Sequence, residues 1–318
     1  MQDFNAVARP LNTQENVRDF FINVLSFKDD EIKVASWKRT MGRICDNEIS
    51  NLQHKKNLKS TLFSQENRLA DWSEEDRWKL RKKIVTQLFE EQRLSDDDDI
   101  TIKKGGSKPQ SVKRENIACI IIGPPAAGKS GIANKIADKL GAYILDNDYA
   151  KRKFPEYKDK VSGASLLHQE AGAMIFPNSK IQNRPEDFNT LFELCAKKKI
   201  NIVVPKIGHL YTDIYELFLG LKEKGYTVHL VGVSLDRKLA TKRALERMKK
   251  TKRYVPLSLI FDAYGNDPIL TYYRLKRMYR TDFESFGKVS TDVPIDGKNK
   301  FEKIEFDEKS PIKLISQK

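Results

Sequence analysis

Apolar positions along the chain change their period once, near residue 116. Before it, Val17, Phe20, Phe21, Val24 and Leu25 recur at helical spacing, as do Trp78, Ile84, Leu88 and Phe89 around the basic run 81–83. Ser73-Glu-Glu-Asp76 offers a hydroxyl that accepts from the N–H three residues on, and acids for the positive end of a helix dipole. A helix is therefore predicted over 74–93. It runs out in the acidic stretch 95–99 and in Lys103-Lys-Gly-Gly-Ser-Lys-Pro109, charged and without an apolar period, as a linker would be. No internal repeat is present.

Beyond 116 the pattern alternates. Strands are predicted at 117–122, 142–145, 200–204 and 227–233, and helices at 130–140, 187–197, 211–224 and 235–250. One long final helix is expected over 256–283, followed by a weak strand-like end. The unbroken apolar run Ile117–Ile122 suits a strand buried on both faces. Alternating strands and helices imply an α/β fold, a mostly parallel sheet flanked by helices, with an N-terminal helical region added. The expected division is a helical region over 1–94, a linker over 95–115 and the α/β domain over 116–318.

Composition narrows the function classes. Cys45, Cys119 and Cys195 are the only cysteines among 318 residues and lie far apart, which excludes a disulfide framework and a thiolate zinc site. The first residues lack the basic and apolar regions of a secretory signal, and no apolar run reaches the length of a membrane span. A cytoplasmic protein with no membrane contact is expected, although a signal for export as an effector would not show. The net charge of +14 is unevenly placed: 22 basic against 20 acidic residues in 1–116, and 36 against 24 in 117–318. Thirteen of the basic residues fall between Arg237 and Arg280, which points to an anionic partner, nucleic acid or phosphorylated small molecules.

A motif separates these. Gly123-Pro124-Pro125-Ala126-Ala127-Gly128-Lys129-Ser130 fits G-x-x-x-x-G-K-[ST] between a predicted strand and a predicted helix. In that setting backbone N–H groups hold phosphate oxygens, Lys129 reaches the β/γ-phosphates and Ser130 ligates Mg²⁺, so ATP or GTP is the expected ligand. The next strand runs into Asp146-Asn147-Asp148 and Lys151, at the strand end where open α/β sheets bind ligands. An Asp there suits a small kinase, taking the proton of the acceptor hydroxyl, or it caps the following helix. For Asp146, which as a functional residue would contact the substrate, the functional and capping readings stand level. His168 and Glu170, in a predicted substrate-side helix, and His209, just past a strand, are candidates to hydrogen-bond sugar hydroxyls. Each histidine is otherwise a packing residue.

The Gly123–Ser130 loop with Pro125, the run Asp146–Lys151 with Pro155, the turn Lys224-Gly-Tyr226, Leu245-Glu-Arg247 and Arg253-x-x-Pro256 together resemble the zeta toxins, P-loop kinases related to chloramphenicol phosphotransferase. The likeness covers roughly 116–283. It implies ATP and Mg²⁺ as cofactors, Asp148 as catalytic base, and Arg247 and Arg253 as phosphoryl clamps on a lid around 243–256, with Arg237 and Arg243 as substitutes. It also implies a sugar-hydroxyl acceptor, typically uridine diphosphate N-acetylglucosamine. Where the family places Glu-Gly, this chain has Pro205-Lys206-Ile207-Gly208, which favours a more anionic acceptor such as NAD and adds Lys206 to the substrate contacts beside Lys151. An antitoxin, immunity or chaperone protein is the implied partner, and the N-terminal helices are the implied regulator in cis. Two other readings stand beside this one. A polynucleotide end kinase would use Tyr254, Tyr264, Tyr272, Tyr273 and Tyr279 for stacking, although their helical spacing also suits packing. An NTP-controlled binding module would act through its N-terminal helices.

Overall fold

The computed structural model describes residues 9–56, 60–69, 73–159, 163–178, 181, 183–251, 254–294 and 300–317. Its centre is one six-stranded sheet of order β2-β3-β1-β4-β5-β6. The strands are β1 (Ile117–Ile122), β2 (Tyr143–Ile144), β3 (Ile202–Lys206), β4 (Thr227–Ser234), β5 (Ser285–Ser290) and β6 (Glu302–Phe306). All neighbours run parallel except β6, an antiparallel edge. β1 lies in the middle with Ala118 to Ile122 at zero exposure, as its unbroken apolar run requires.

The helices, in chain order, are α1 (Gln14–Asp19), α2 (Asp29–Ile32), α3 (Ala35–Lys56), α4 (Glu74–Glu90), α5 (Lys129–Leu140), α6 (Asn147–Lys151), α7 (Glu156–Asp159), α8 (Gly163–Leu166), α9 (His168–Ile175), α10 (Leu191–Lys197), α11 (Tyr211–Glu223), α12 (Arg237–Thr251) and α13 (Asp267–Met278). Their ends follow local chemistry. Ser73 caps α4 by accepting from the N–H of Asp76, and Thr190 with Glu193 forms a capping box on α10. No described helix is long and apolar enough to cross a membrane.

The long helix expected over 256–283 is broken. A π-turn over Leu259–Ala263 is followed by a fresh start at α13, whose second residue is Pro268. Proline has no N–H to give to a preceding turn, so the chain restarts there. β3 runs further than expected, to Lys206. Pro205 is tolerated because β2 ends opposite Val203, leaving no ladder on that side for its missing N–H to serve.

Residues 95–115 are irregular but tied to the core. Ser107 donates to the Ile144 carbonyl, the Tyr149 hydroxyl to Asp97 (2.9 Å) and the Arg152 guanidinium to Asp98 (2.8 Å). The buried Lys153 ammonium donates to the carbonyls of Thr101 and Lys104, at 2.9 and 3.4 Å.

The N-terminal helices dock in two places. The segment 9–56 lies on the 237–263 region: Arg9 makes a two-pronged ion pair with Asp262, at 2.9 and 2.7 Å, and Phe20 packs edge-on against Phe261. The Lys249 ammonium sits 3.4 Å over the Trp37 ring, Lys242 lies over Phe27 at 4.7 Å, and Tyr254 donates to Glu48. Helix α4 instead packs against α6, α9 and α10 of the α/β core.

Candidate active site

The P-loop is built by its glycines. A Cβ on Gly123 would lie 2.5 Å from the Val233 carbonyl oxygen, and Gly128 has φ +75°, so neither tolerates a side chain cheaply. Ala126 also takes a left-handed φ, +60°. The turn delivers the chain into α5 with its N-terminal amides at the loop. The Lys129 ammonium folds back over the loop and donates to the carbonyls of Gly123 and Pro124, 2.7 Å each. Phosphate oxygens would meet there a cation already positioned, together with the positive end of α5, so the residues present fit a nucleotide triphosphate.

A cleft of about 2800 Å³ opens along the carboxyl ends of the parallel strands, lined by Pro125, Ala126, Gly128, Lys129 and Ser130 of the loop. It is also lined by Asp146, Asp148 and Lys151, by His168, by Lys206 and His209, and by Arg243 and Arg247. The N-terminal residues Arg9, Glu48 and Asn51 close part of its rim. Among the described residues no group of three or more His, Cys, Asp or Glu is arranged to hold a metal.

The two carboxylates after β2 have different partners. Asp146 caps α6, its Oδ1 accepting from the N–H of Asp148 at 2.9 Å, which favours the capping reading for that residue. Asp148 receives the Lys151 ammonium at 3.0 Å one turn along and faces the cleft. Lys206 pairs in register with Ile122, the residue before the loop, and lies 4.8 Å from the Phe176 ring. Burial lowers its ammonium pKa, opposed by Asp146 and Asp213. The turn after β3 needs Gly208, at φ +76°, because a Cβ there would meet Ile122 at 2.7 Å. Its neighbour His209 tilts against the Tyr264 ring, 5.2 Å between centroids, and burial lowers its pKa. His168 lines the cleft and is exposed there. The charge of Lys151, and then burial, push it down to about 4, so its imidazole is neutral at ordinary pH.

Glu170 is not in the cleft. It is fully buried, accepting from Arg77 Nε and Nη2 at 2.7 and 2.6 Å and from Arg81 Nε at 2.8 Å, so its expected contact with substrate is corrected to a structural ion cluster. Burial works against its charge, but the two guanidiniums outweigh it and hold the carboxyl below the usual range. Arg253 lies outside the described residues.

The basic lid stretch divides as well. Arg237 covers the Phe261 ring, and Lys242 and Lys249 cover N-terminal aromatic rings. Of the described lid cations, Arg243 and Arg247 line the cleft. Arg243 donates to the Thr291 carbonyl at 3.0 Å, and the Thr291 hydroxyl donates to the Ala127 carbonyl at 2.9 Å, which joins lid, β5 end and P-loop. The tyrosines considered for base stacking are mostly packing residues: Tyr272 has zero exposure, Tyr254 is buried and Tyr279 stacks on Tyr215 at 3.8 Å. Thr291, Arg77 and Arg81 were not foreseen as part of this region. Arg77 and Arg81 did leave a trace, since charged residues four apart continue the apolar stripe of Ile84 and Leu88.

Solved structures with a similar course of chain include one from the PezAT chromosomal toxin–antitoxin system of Streptococcus pneumoniae. It is 14% identical, with 77% of this chain and 87% of that chain covered at a TM-score of 0.52, and so shares the fold. A gluconokinase from Sinorhizobium meliloti 1021 is 16% identical over 57% of this chain and 86% of its own, at a TM-score of 0.32. A chain of the AvrRxo1-ORF1:ORF2 complex is 15% identical over 77% and 72%, at 0.40. These two superpose too loosely to carry weight. No curated protein matches in sequence. The family model of the zeta toxins matches residues 101–268, more than half of the chain, and takes in the P-loop, the Asp146–Lys151 run and the lid helix: the chain belongs to the zeta toxin family.

Proposed function

We propose that the protein is an ATP-dependent kinase that phosphorylates a sugar hydroxyl of a nucleotide-type small molecule, a uridine diphosphate sugar or NAD, and acts as a toxin or effector. The observation that carries this reading is the shared cleft: the P-loop with Lys129 on one side, and Asp148 with Lys151 on the other, both at the carboxyl edge of the sheet. ATP supplies the phosphoryl group when bound, and Mg²⁺ held through Ser130 offsets its charge. Lys129 and the loop amides bind and orient the phosphates. Asp148 accepts the proton of the acceptor hydroxyl as that oxygen bonds to the γ-phosphorus, the bond from that phosphorus to the β,γ-bridging oxygen breaks and ADP leaves, and Lys151 orients the carboxylate. Arg243 and Arg247 face the transferring group from α12, with Arg253 beyond the described residues as the family's second clamp. On the acceptor side, His168, Lys206 and His209 are proposed to contact the substrate.

Lys206 and Lys151 favour an acceptor with its own phosphates. Residues 9–56 are proposed to regulate the enzyme, since they grip the lid region from outside and reach the cleft rim. The PezAT neighbour is described as a toxin–antitoxin system. By extension this chain takes an antitoxin, immunity or chaperone protein, and acts in the cytoplasm of its bacterium or of a target cell.

The test is incubation with labelled ATP, Mg²⁺ and a panel of uridine diphosphate sugars, NAD, nucleosides and oligonucleotides. Label on a sugar nucleotide or NAD is expected. Label on oligonucleotides alone would establish the polynucleotide kinase instead, and ATP binding with no transfer would establish a nucleotide-controlled binding module.

A further inference from the structure

Helix α4 carries a buried ionic network at its junction with the α/β core. Arg77 has zero exposure and three strong links: two to Glu170 and one to Glu156, at 2.9 Å, while its guanidinium covers the Phe154 ring at 4.6 Å. Arg81 donates to Glu170 and, at 2.7 Å, to Glu74, which also receives Arg68 at 2.7 Å. Arg68 in turn donates to the Thr61 carbonyl at 2.8 Å, and Glu156 accepts the Leu69 N–H at 3.0 Å. Removing several charges from water is costly, and a hydrophobic set of equal volume commonly serves stability as well or better. What a forked guanidinium adds is direction, because two parallel hydrogen bonds fix both the position and the rotation of the carboxylate they hold.

The carboxylates held here belong to the helices behind the reacting edge. Glu156 lies on α7 and Glu170 on α9. Helix α9 begins with His168, which lines the cleft, and two residues on the same short helix sends Glu170 to the opposite side. Helices α9 and α6 pack directly. Gly172 lets α9 approach so closely that a Cβ there would sit 3.3 Å from the Asn147 amide nitrogen, and Asn147 adjoins Asp148. A rotation of α9 would therefore move His168 and press on the helix that carries Asp148.

We propose that Arg77 and Arg81 are positioning residues of the phosphoryl-transfer site, acting through Glu170 on α9 and the contact of α9 with Asn147 on α6. Helix α4 is then part of the catalytic wall and not of a removable regulator, which is confined to 9–56. This rests on the kinase reading above for its kinetic half, and on packing alone for its structural half.

The test uses the full chain with Arg77→Lys, Glu170→Gln and the paired change Arg77→Met with Glu156→Gln, which removes one buried charge of each sign, leaves Glu170 paired with Arg81 and keeps an acceptor for the Leu69 N–H, and so protects against loss of folding. Nucleotide affinity, steady-state kinetics and amide hydrogen exchange are measured on each. Nucleotide affinity within twofold of wild type is expected, because the P-loop is untouched. A fall in kcat of tenfold or more per nucleotide-binding site is expected, together with at least tenfold faster exchange at both 147–151 and 168–175 and unchanged exchange at 129–140. In the paired variant the melting temperature should recover while kcat stays low, a split that a merely structural role would not give. Normal kcat per site, or faster exchange confined to 168–175, overturns the proposal. Should the wild-type protein phosphorylate no acceptor, the kinase reading fails separately, and exchange at 147–151 still decides whether α4 positions α6.

Discussion

The Lys151 ammonium stands 3.0 Å from Asp148 Oδ1, one turn along α6, while the neighbouring Asp146 spends its carboxylate on the cap of the same helix. Two acids two residues apart thus take separate tasks. Asp148→Asn keeps the shape and an acceptor oxygen for Lys151 but removes the group proposed to take a proton. General-base contributions run to about 10²–10⁴-fold, so kcat should fall by that much, with nucleotide affinity unchanged within about twofold. Initial rates and a nucleotide titration check both halves. Near-normal turnover would pass the role of base to another group. Asp146→Asn should be close to neutral, because Asn caps helices about as well as Asp.

Lys129 offers the complementary case. Its ammonium bridges two loop carbonyls in the protein alone and would bridge phosphate oxygens in the complex. Hydrogen bonds to charged groups contribute about 1.5–3 kcal/mol, so Lys129→Ala should weaken binding of Mg-ATP about 10–150-fold by calorimetry. The melting temperature without nucleotide should change little, because Gly123 and Gly128 hold the loop's shape independently of the lysine.

How much of this was legible depends on whether the information is local. The P-loop could be read because its chemistry fixes spacing within eight residues, and the strand before it is a single apolar run. The break in the final helix could not, until Pro268 is weighed as a start and not as an interior residue. Glu170 was misplaced by an argument that the sequence itself opposed: residues two apart on a helix do not share a face, so His168 and Glu170 cannot both reach the cleft. The lid charges show the other limit. Lys242 and Lys249 look like phosphate ligands by number and sign, and only the tertiary fold shows Phe27 and Trp37 under them. Charge counts locate cations but not the rings that occupy them.

Those cation–ring contacts give a test of the proposed regulation. Trp37 packs edge-on to Phe21 and Phe27, at 5.3 and 5.1 Å between centroids, and receives Lys249 from α12. Trp37→Ala removes both the cluster and the cation's platform. Large aromatic truncations cost about 3–5 kcal/mol in full cores, and a half-buried Trp should fall at or below the low end of that range. The protein is expected to stay folded, to be cleaved faster by protease between 9 and 56, and to turn over acceptor several-fold faster. Loosened helices with unchanged turnover would make the segment a stabilising element and no regulator.

Between pH 6.5 and pH 4, above the range of the ion-paired carboxylates, acid sensitivity should come first from a buried histidine on one strand. His229 on β4 is buried at 6% exposure, its Nδ1 2.7 Å from the Ser285 hydroxyl on β5, and burial lowers its pKa from 6.5 to about 4. As pH falls below 6.5 the unfolded chain takes a proton that the folded chain refuses until about 4, so the unfolded state gains and stability drops across that window. At 1.36 kcal/mol for each unit, the loss attributable to this residue approaches about 3 kcal/mol by pH 4. His209 shifts in the same direction through burial but is less enclosed, and His168 is exposed on the cleft, where solvent screens the Lys151 charge that leads its shift, so each should add less. His229→Gln keeps a partner for Ser285 and cannot take up a proton in this range. Thermal melts from pH 7 to pH 4 should therefore show a shallower decline for His229→Gln than for wild type. Parallel curves would mean that the folded protein takes up the proton near pH 6.5 after all, through an opening of the β4–β5 pair around Ser285.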